Sequence, residues 1–215
     1  MASDFHGSVK AFKKAALRIE DDKADAVILC GDITNFGSVN EARYLLSHIT
    51  GLRIPIMFIP GNCDPRSLIG VNIEGARCIH GMSERFGEKI FFGVGGGLIS
   101  PFKTPFELDE KEILNIFTFG FHASSDSSGI ILVSHSPPHN TRVDKTFSGE
   151  HIGSIRIREF IEKNTPLLQL CGHVHEARGI DQIGETLIIN TGSAKDGYYV
   201  SVVINEKTDV FLECF

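Results

Sequence analysis

Four short apolar runs recur along the chain, and each ends in the same way. "ADAVILCGD" (24–32), "IPIMFIPGN" (54–62), "GIILVSH" (129–135) and "PLLQLCGH" (166–173) pass from apolar, often β-branched residues into Gly or Ser and then a polar side chain. Runs without polar alternation predict strands buried on both faces. Between them the apolar positions recur with helical period. Residues 8–21 place Val9, Phe12, Ala16 and Ile19 on one face. Residues 38–49 open with Ser38 and Glu41 in capping-box spacing. Residues 154–164 align Ile157, Phe160 and Ile161, and residues 109–117 form a fourth helical segment. Alternating strands and helices predict an α/β fold with mainly parallel strands in the first half.

The pattern changes from residue 184 onward. Short strands joined by turns read as antiparallel there, with "KDG" (195–197) as a hairpin signal. "FFGVGGGLISP" (91–101) reads as a strand entering a tight, glycine-rich loop. It matches neither the dinucleotide fingerprint nor the P-loop. Asp64-Pro65 has the form of a helix N-cap followed by proline at the first helical position. No low-complexity linker or charge block divides the sequence, so residues 1–215 are read as a single domain.

Composition narrows the function classes. The 215 residues are 42% hydrophobic and 22% charged, with a net charge of −6. That balance offers no electrostatic footprint for stable nucleic-acid binding. No apolar run is long enough to span a bilayer, and no signal peptide opens the chain. The five cysteines (Cys30, Cys63, Cys78, Cys171 and Cys214) are odd in number and form no CxxC pair. This argues against a disulfide framework and against a cysteine-type zinc site. A reducing cytoplasm is the expected compartment.

The polar residues at the run ends carry the chemistry. "SDFHG" supplies Asp4 and His6, "GDITN" supplies Asp32 and "GNCD" supplies Asn62. "SHSPPH" supplies His135, and "GHVH" supplies His173 and His175. Any one such histidine is more often structural or solvated than a ligand. The recurrence in one context carries the inference, because the carboxyl ends of strands in an open α/β sheet meet at one crevice. Two carboxylates, one amide and four imidazoles suit Mn²⁺, Fe²⁺ or Zn²⁺ better than a sulfur site. Seven donors exceed one tetrahedral site. Two ions about 3.5–4 Å apart, sharing a carboxylate, are the economical arrangement, with phosphoester hydrolysis the natural reaction.

This ordered set resembles the calcineurin-like metallophosphoesterase superfamily, and its "GNCD" form looks most like the small prokaryotic phosphodiesterase branch. The resemblance implies a four-layer fold, a two-sheet β-sandwich flanked by helices. It implies that Asp4, His6, Asp32 and His175 hold one divalent ion. Asp32, Asn62, His135 and His173 would hold the other, with Asp32 bridging. Manganese is the first expectation, with iron, zinc or nickel open. The attacking species would be a metal-bridging hydroxide, and the partner a small or nucleotide-like phosphoester rather than nucleic acid or membrane. A phosphodiesterase is favoured. A phosphomonoesterase on the same site, or a protein-binding scaffold of the same fold, is the alternative. A Ser-His-Asp hydrolase is a weaker rival, since no G-x-S-x-G occurs.

Two departures from the family pattern stand out. Only Met1, Ala2 and Ser3 precede Asp4, where the family has a central strand. Either that strand is nearly lost or the recorded start lies downstream of the natural one; the second reading is preferred, since unpaired neighbouring strands would be costly. The second departure is Cys63, which stands where the family usually has a histidine, commonly assigned to protonating the leaving group or steadying the transition state. A thiol is a poorer acid near neutrality than imidazole. Cys63 is therefore read as a substrate-lining residue, with ligand or nucleophile as the lesser alternatives. His139, and His151 in "SGEHIGS", are the candidate replacement proton donors. His48, His80 and His122 carry no motif.

Overall fold

The computed structural model describes residues 1–121 and 129–215; His122 lies outside them. In chain order the strands are β1 (Val27–Leu29), β2 (Ile56–Phe58), β3 (Arg77–Cys78), β4 (Ser83–Phe86), β5 (Lys89–Val94), β6 (Gly97–Leu98) and β7 (Glu107–Leu108). They continue as β8 (Ile130–Ser134), β9 (Leu168–Cys171), β10 (Gly179–Ile183), β11 (Thr186–Asn190), β12 (Tyr198–Ile204) and β13 (Thr208–Cys214). The helices are α1 (Val9–Asp21), α2 (Val39–Thr50), α3 (Glu110–Gly120) and α4 (Ile155–Asn164).

β1, β2 and β3 pair in parallel. A six-stranded sheet runs in the order β10-β11-β9-β8-β5-β4, parallel through β5, β8, β9 and β11 and antiparallel at both edges. β12 and β13 form an antiparallel hairpin. Every residue of the four apolar runs' strands is buried. Continuous apolar sequence is required because both faces of these strands are covered.

Three hydrophobic cores stack across the molecule. Ile28, Cys30, Met57 and Ile59 meet Phe91, Ile131, Val133, Leu170 and Ile189 between the sheets. α1 and α2 cover the outer face of the first sheet through Phe12, Leu45, Leu46 and Ile49. α3 and α4 cover the second through Ile113, Phe117, Ile157 and Phe160, with the Phe117 and Phe160 rings stacked 4.1 Å apart. The result is a four-layer α/β/β/α sandwich, as expected.

All four expected helices form, and their caps explain where they start. The Ser8 and Ser154 side chains accept from Ala11 and Ile157 N–H. Ser38 accepts from Glu41 N–H at 3.2 Å, half of the expected box. The complete reciprocal box lies at α3, between Asp109 and Glu112.

Three expectations need correction. "KDG" is not a hairpin. Residues 194–196 form a 3₁₀ turn capped by Gly197 at φ +100°, and the hairpin turn falls between Ile204 and Thr208. The C-terminal part is not wholly antiparallel either, since β11 runs parallel to β9. Nor is the central strand position empty. Ala2 N–H donates to Ile28 O, Cys30 N–H to Ala2 O and Asp4 N–H to Gly31 O, at 2.9–3.0 Å. On its other side Met1 exchanges hydrogen bonds with Val200 at 2.6 and 2.9 Å. Residues 1–4 thus join β1 to β12 and continue the first sheet into the hairpin.

His80 packs beside β5 and accepts the Gly95 N–H at Nδ1, 2.9 Å away. Burial, with Arg66 nearby, pushes its imidazole down to about 4. The unfolded chain therefore takes up this proton first. Stability linked to His80 is present above the ordinary imidazole range and is lost as pH falls through about 6.5 toward 4. The loss should be on the order of 3 kcal/mol. His80→Asn keeps an acceptor for Gly95 and should flatten the dependence of Tm on pH between 6.5 and 4. Parallel profiles for the two proteins would contradict this.

Candidate metal centre

The seven candidate donors come from five loops. Asp4 and His6 follow the N-terminal pairing segment, Asp32 follows β1 and Asn62 follows β2. His135 follows β8, and His173 and His175 follow β9. The fold brings all seven together as two groups of facing atoms. In the first, His6 Nε2 lies 3.3 Å from His175 Nε2, 3.6 Å from Asp32 Oδ2 and 3.9 Å from Asp4 Oδ1. His175 Nε2 is 3.2 Å from Asp4 Oδ1. In the second, His135 Nε2 lies 2.8 Å from Asn62 Oδ1, 3.2 Å from His173 Nδ1 and 3.5 Å from Asp32 Oδ1. Asp32 presents one oxygen to each group.

This crowding is what a cation cradle requires. His135 Nδ1 sits 2.7 Å from the Cys30 carbonyl, to which it donates. Its Nε2 faces the amide oxygen of Asn62. Buried Asp4 Oδ1 and His6 Nδ1 have no hydrogen-bond partner among the described residues. Carboxylate, amide and imidazole atoms that can each donate electron density to a cation converge here within hydrogen-bond distance or little more. The residues present therefore fit a metal centre.

The backbone is bent to aim these groups. Asp4 (φ 60°), His6 (φ 44°), Asp32 (φ 52°) and His173 (φ 70°) all adopt left-handed conformations. Asp and His tolerate this region better than bulky residues, and such strain concentrates at functional sites. Glycine before a donor is equally constrained. A Cβ on Gly61 would lie 2.1 Å from Asp32 Oδ1, and one on Gly172 would lie 2.3 Å from Asp4 Oδ2. The recurrent Gly-donor pairs are thus required by close approach, and not only by turn geometry.

Asp64 corrects another expectation. It does not cap a helix; Pro65 precedes a short 3₁₀ turn without a side-chain cap. Its fully buried carboxylate instead accepts from Ile33 N–H (3.0 Å), Thr34 N–H (2.7 Å), Thr34 Oγ1 (2.8 Å) and Gly61 N–H (2.9 Å). It ties the Asp32 loop to the Asn62 loop. Cys63 N–H completes the link by donating to Asp32 Oδ1 at 2.8 Å.

The field within the site is uneven. Burial pushes Asp32 up to about 7, reinforced by Asp4 and Asp64 and opposed by His135. Burial also disfavours charge on Asp4, but the adjacent His175 ring and the neighbouring histidines outweigh it and hold that carboxyl below its usual range. Burial and His135 push His173 down to about 3, whereas the adjacent Asp4 carboxylate raises His175. Cys63 lies on the wall of the first group, within reach of His6 and Asp32. Burial and the Asp32 charge push its thiol up, away from the thiolate.

His139 is placed differently from the seven. Its Nδ1 lies 3.7 Å from Asp144, which also binds His151 Nδ1 at 2.6 Å. Asp144 further accepts from Asn140, Thr141 and Gly153 N–H. These histidines therefore fasten the 139–153 loop. Lys195 was not anticipated. It is exposed on the 3₁₀ turn before β12, donates its N–H to Asp4 O at 3.2 Å, and its ammonium is among the charges that disfavour protonation of His6, after burial. It stands twenty residues beyond His175, in the stretch read as hairpin, so no sequence motif flagged it.

Carboxylate, amide and imidazole donors gathered at the strand ends of a two-sheet sandwich define a class of metal-dependent hydrolase folds. The chain belongs to the calcineurin-like phosphoesterase family, whose model matches residues 1–177, and the family is one of phosphoric ester hydrolases. An uncharacterized protein of Methanocaldococcus jannaschii is 34% identical over 192 residues, covering 87% of this chain and 84% of the relative. Among solved structures, TT1561 of Thermus thermophilus superposes with a TM-score of 0.74 at 16% identity, covering 98% of this chain and 96% of that one. A dimetal phosphatase from Danio rerio gives 0.65 at 12% identity, covering 97% and 87%. An archaeal phosphodiesterase gives 0.54 at 16%, covering 99% and 97%. At these identities the structural likeness is one of fold. No helix among the described residues is long and apolar enough to cross a membrane.

Asp64→Ala leaves four donors in the two loops without their acceptor. It should cost on the order of 3 kcal/mol or more and weaken metal binding. Cys63→Ala, which keeps the backbone donor to Asp32, should cost only about 1 kcal/mol. Denaturant unfolding of the metal-free proteins measures both, and equal small losses would show that Asp64 is not the clamp.

Proposed function

We propose that the protein is a dinuclear metal-dependent phosphodiesterase acting on small or nucleotide-like phosphoesters. The observation that carries this reading is the Asp32 carboxylate, with one oxygen turned toward each of two groups of candidate donor atoms. Asp4, His6, Asp32 and His175 would hold one divalent ion, and Asp32, Asn62, His135 and His173 the other. Manganese is the proposed occupant, since mixed oxygen and nitrogen donors without an obligatory thiolate suit it. Two such ions supply activation of water and neutralisation of phosphoryl oxygens.

The chain's own contribution is orientation. Cys30 O fixes the His135 ring, Cys63 N–H fixes Asp32, and Asp4 Oδ2 accepts His173 N–H at 3.0 Å, locking the "GHVH" turn to the N-terminal loop. Preference for a diester rests on charge. A dianionic monoester calls for a cluster of cationic side chains. Among the described residues, Lys195 is one cationic side chain whose field reaches His6. A monoanionic diester demands less. Neither Cys63 nor His139 is assigned the leaving-group proton, because the thiol is a poor donor and the His139 ring faces Asp144. Solvent supplies it. The proposed setting is the cytoplasm.

Chelation should abolish hydrolysis of bis(p-nitrophenyl) phosphate, and added Mn²⁺ should restore it together with a rise in Tm. Asp32→Asn should lose both responses, with kcat lower by about 10³-fold or more. A metal-bound protein that turns over phosphomonoesters and no diesters would overturn the diester reading. No metal binding and no turnover would favour a scaffold.

If a general acid is missing, Cys63→His should help alkyl esters more than activated aryl esters, within the roughly 10²–10⁴-fold span of such catalysis. A uniform loss on all substrates would contradict this account.

A further inference from the structure

Phe36 is an aromatic side chain that packing does not explain. It is 58% exposed, joins none of the three hydrophobic cores, and stacks on no other ring among the described residues. Its backbone is left-handed, at φ 59°. A bulky residue pays a steric penalty there that Gly or Asn largely escapes. Stability alone does not favour phenylalanine at this position.

Its location is the second observation. The turn from Asp32 to Gly37 is held on one side by the first metal loop, with His6 N–H donating to Asp32 O at 2.9 Å and Gly7 N–H to Ile33 O at 3.0 Å. On the other side Phe36 N–H donates to Cys63 O at 2.9 Å, and Asp64 grips Ile33 and Thr34. Within the turn, Gly37 N–H donates to Thr34 Oγ1 at 3.3 Å. The Phe36 backbone is thus held by hydrogen bonds between the His6 loop and Cys63, four residues beyond Asp32.

We infer that Phe36 is a specificity-determining platform on which the nucleobase of a nucleotide diester's retained arm stacks. An exposed ring on a backbone held beside the candidate metal centre gains contact area when a flat aromatic group covers it. The inference rests on the phosphodiesterase reading above and names its substrate class.

Two esters with the same p-nitrophenolate leaving group test it: thymidine 5′-(p-nitrophenyl phosphate) and methyl p-nitrophenyl phosphate. Phe36→Asn should raise KM for the nucleotide ester by roughly tenfold, leave kcat and the methyl ester's KM unchanged, and keep Tm at or above that of the parent. Phe36→Trp should retain the nucleotide ester's KM. Turnover of both esters with no selective change in KM overturns the inference alone, and so does a drop in Tm with KM unchanged, which would make Phe36 a structural residue. If the metal-loaded parent hydrolyses neither ester, the phosphodiesterase reading fails and this inference fails with it.

Discussion

Polar, potentially cation-binding atoms crowded into one buried cluster are the constraint on which this structure turns. Buried Asp4 Oδ1 has no donor, and the second group opposes His135 Nε2 to Asn62 Oδ1 at 2.8 Å. A chain selected only for stability would place a proton or an apolar group at such positions. Something else must hold them together until ions arrive. The three stacked cores provide the bulk driving force. Asp64 converts it into local order, because its four accepted hydrogen bonds fix two donor loops relative to each other.

The same constraint explains the backbone. Left-handed residues cost on the order of 1–2 kcal/mol each relative to helical or extended ones. Asp4, His6, Asp32 and His173 sit there, four of the seven donors. Their side chains leave the strand ends at sharp angles, which lets groups from five loops meet within a few ångströms. Gly61 and Gly172 make room for the carboxylates of other loops, so the glycine in each motif belongs to the site as much as the donor after it does. Metal binding then recovers energy already spent on this geometry, and metal and fold should be coupled.

Much of this was legible in the sequence because one physical pattern repeats. Buried parallel strands need continuous apolar runs, and their carboxyl ends need Gly plus a donor. That repetition marked the layers, the helices and all seven converging residues. The errors arose where local and tertiary causes compete. Asp64-Pro65 has the form of a helix start, but the carboxylate is drawn to four backbone and hydroxyl donors that only the folded loops present. "KDG" is locally turn-like, yet Ala194 and Lys195 donate to Ser3 and Asp4, and these cross-chain bonds make it a 3₁₀ turn. Residues 1–3 are too few to read as a strand, but pairing on both sides suffices to order them. Lys195 and Phe36 have no motif, since their meaning comes from what lies beside them in space.

Cys63 shows how backbone and side chain of one residue can separate in role. Its N–H orients the shared carboxylate and its carbonyl receives the Phe36 N–H, so the main chain at this position is fixed by the site. The side chain is under no such demand. It is 8% exposed, makes a 3.5 Å contact with Asn62 Nδ2, and is kept protonated by burial and the Asp32 charge. The backbone and the side chain of this position thus answer to different neighbours: the main chain to Asp32 and Phe36, the thiol to Asn62 and the buried cluster. A thiol held protonated near neutrality is a poorer proton donor than an imidazole in the same place.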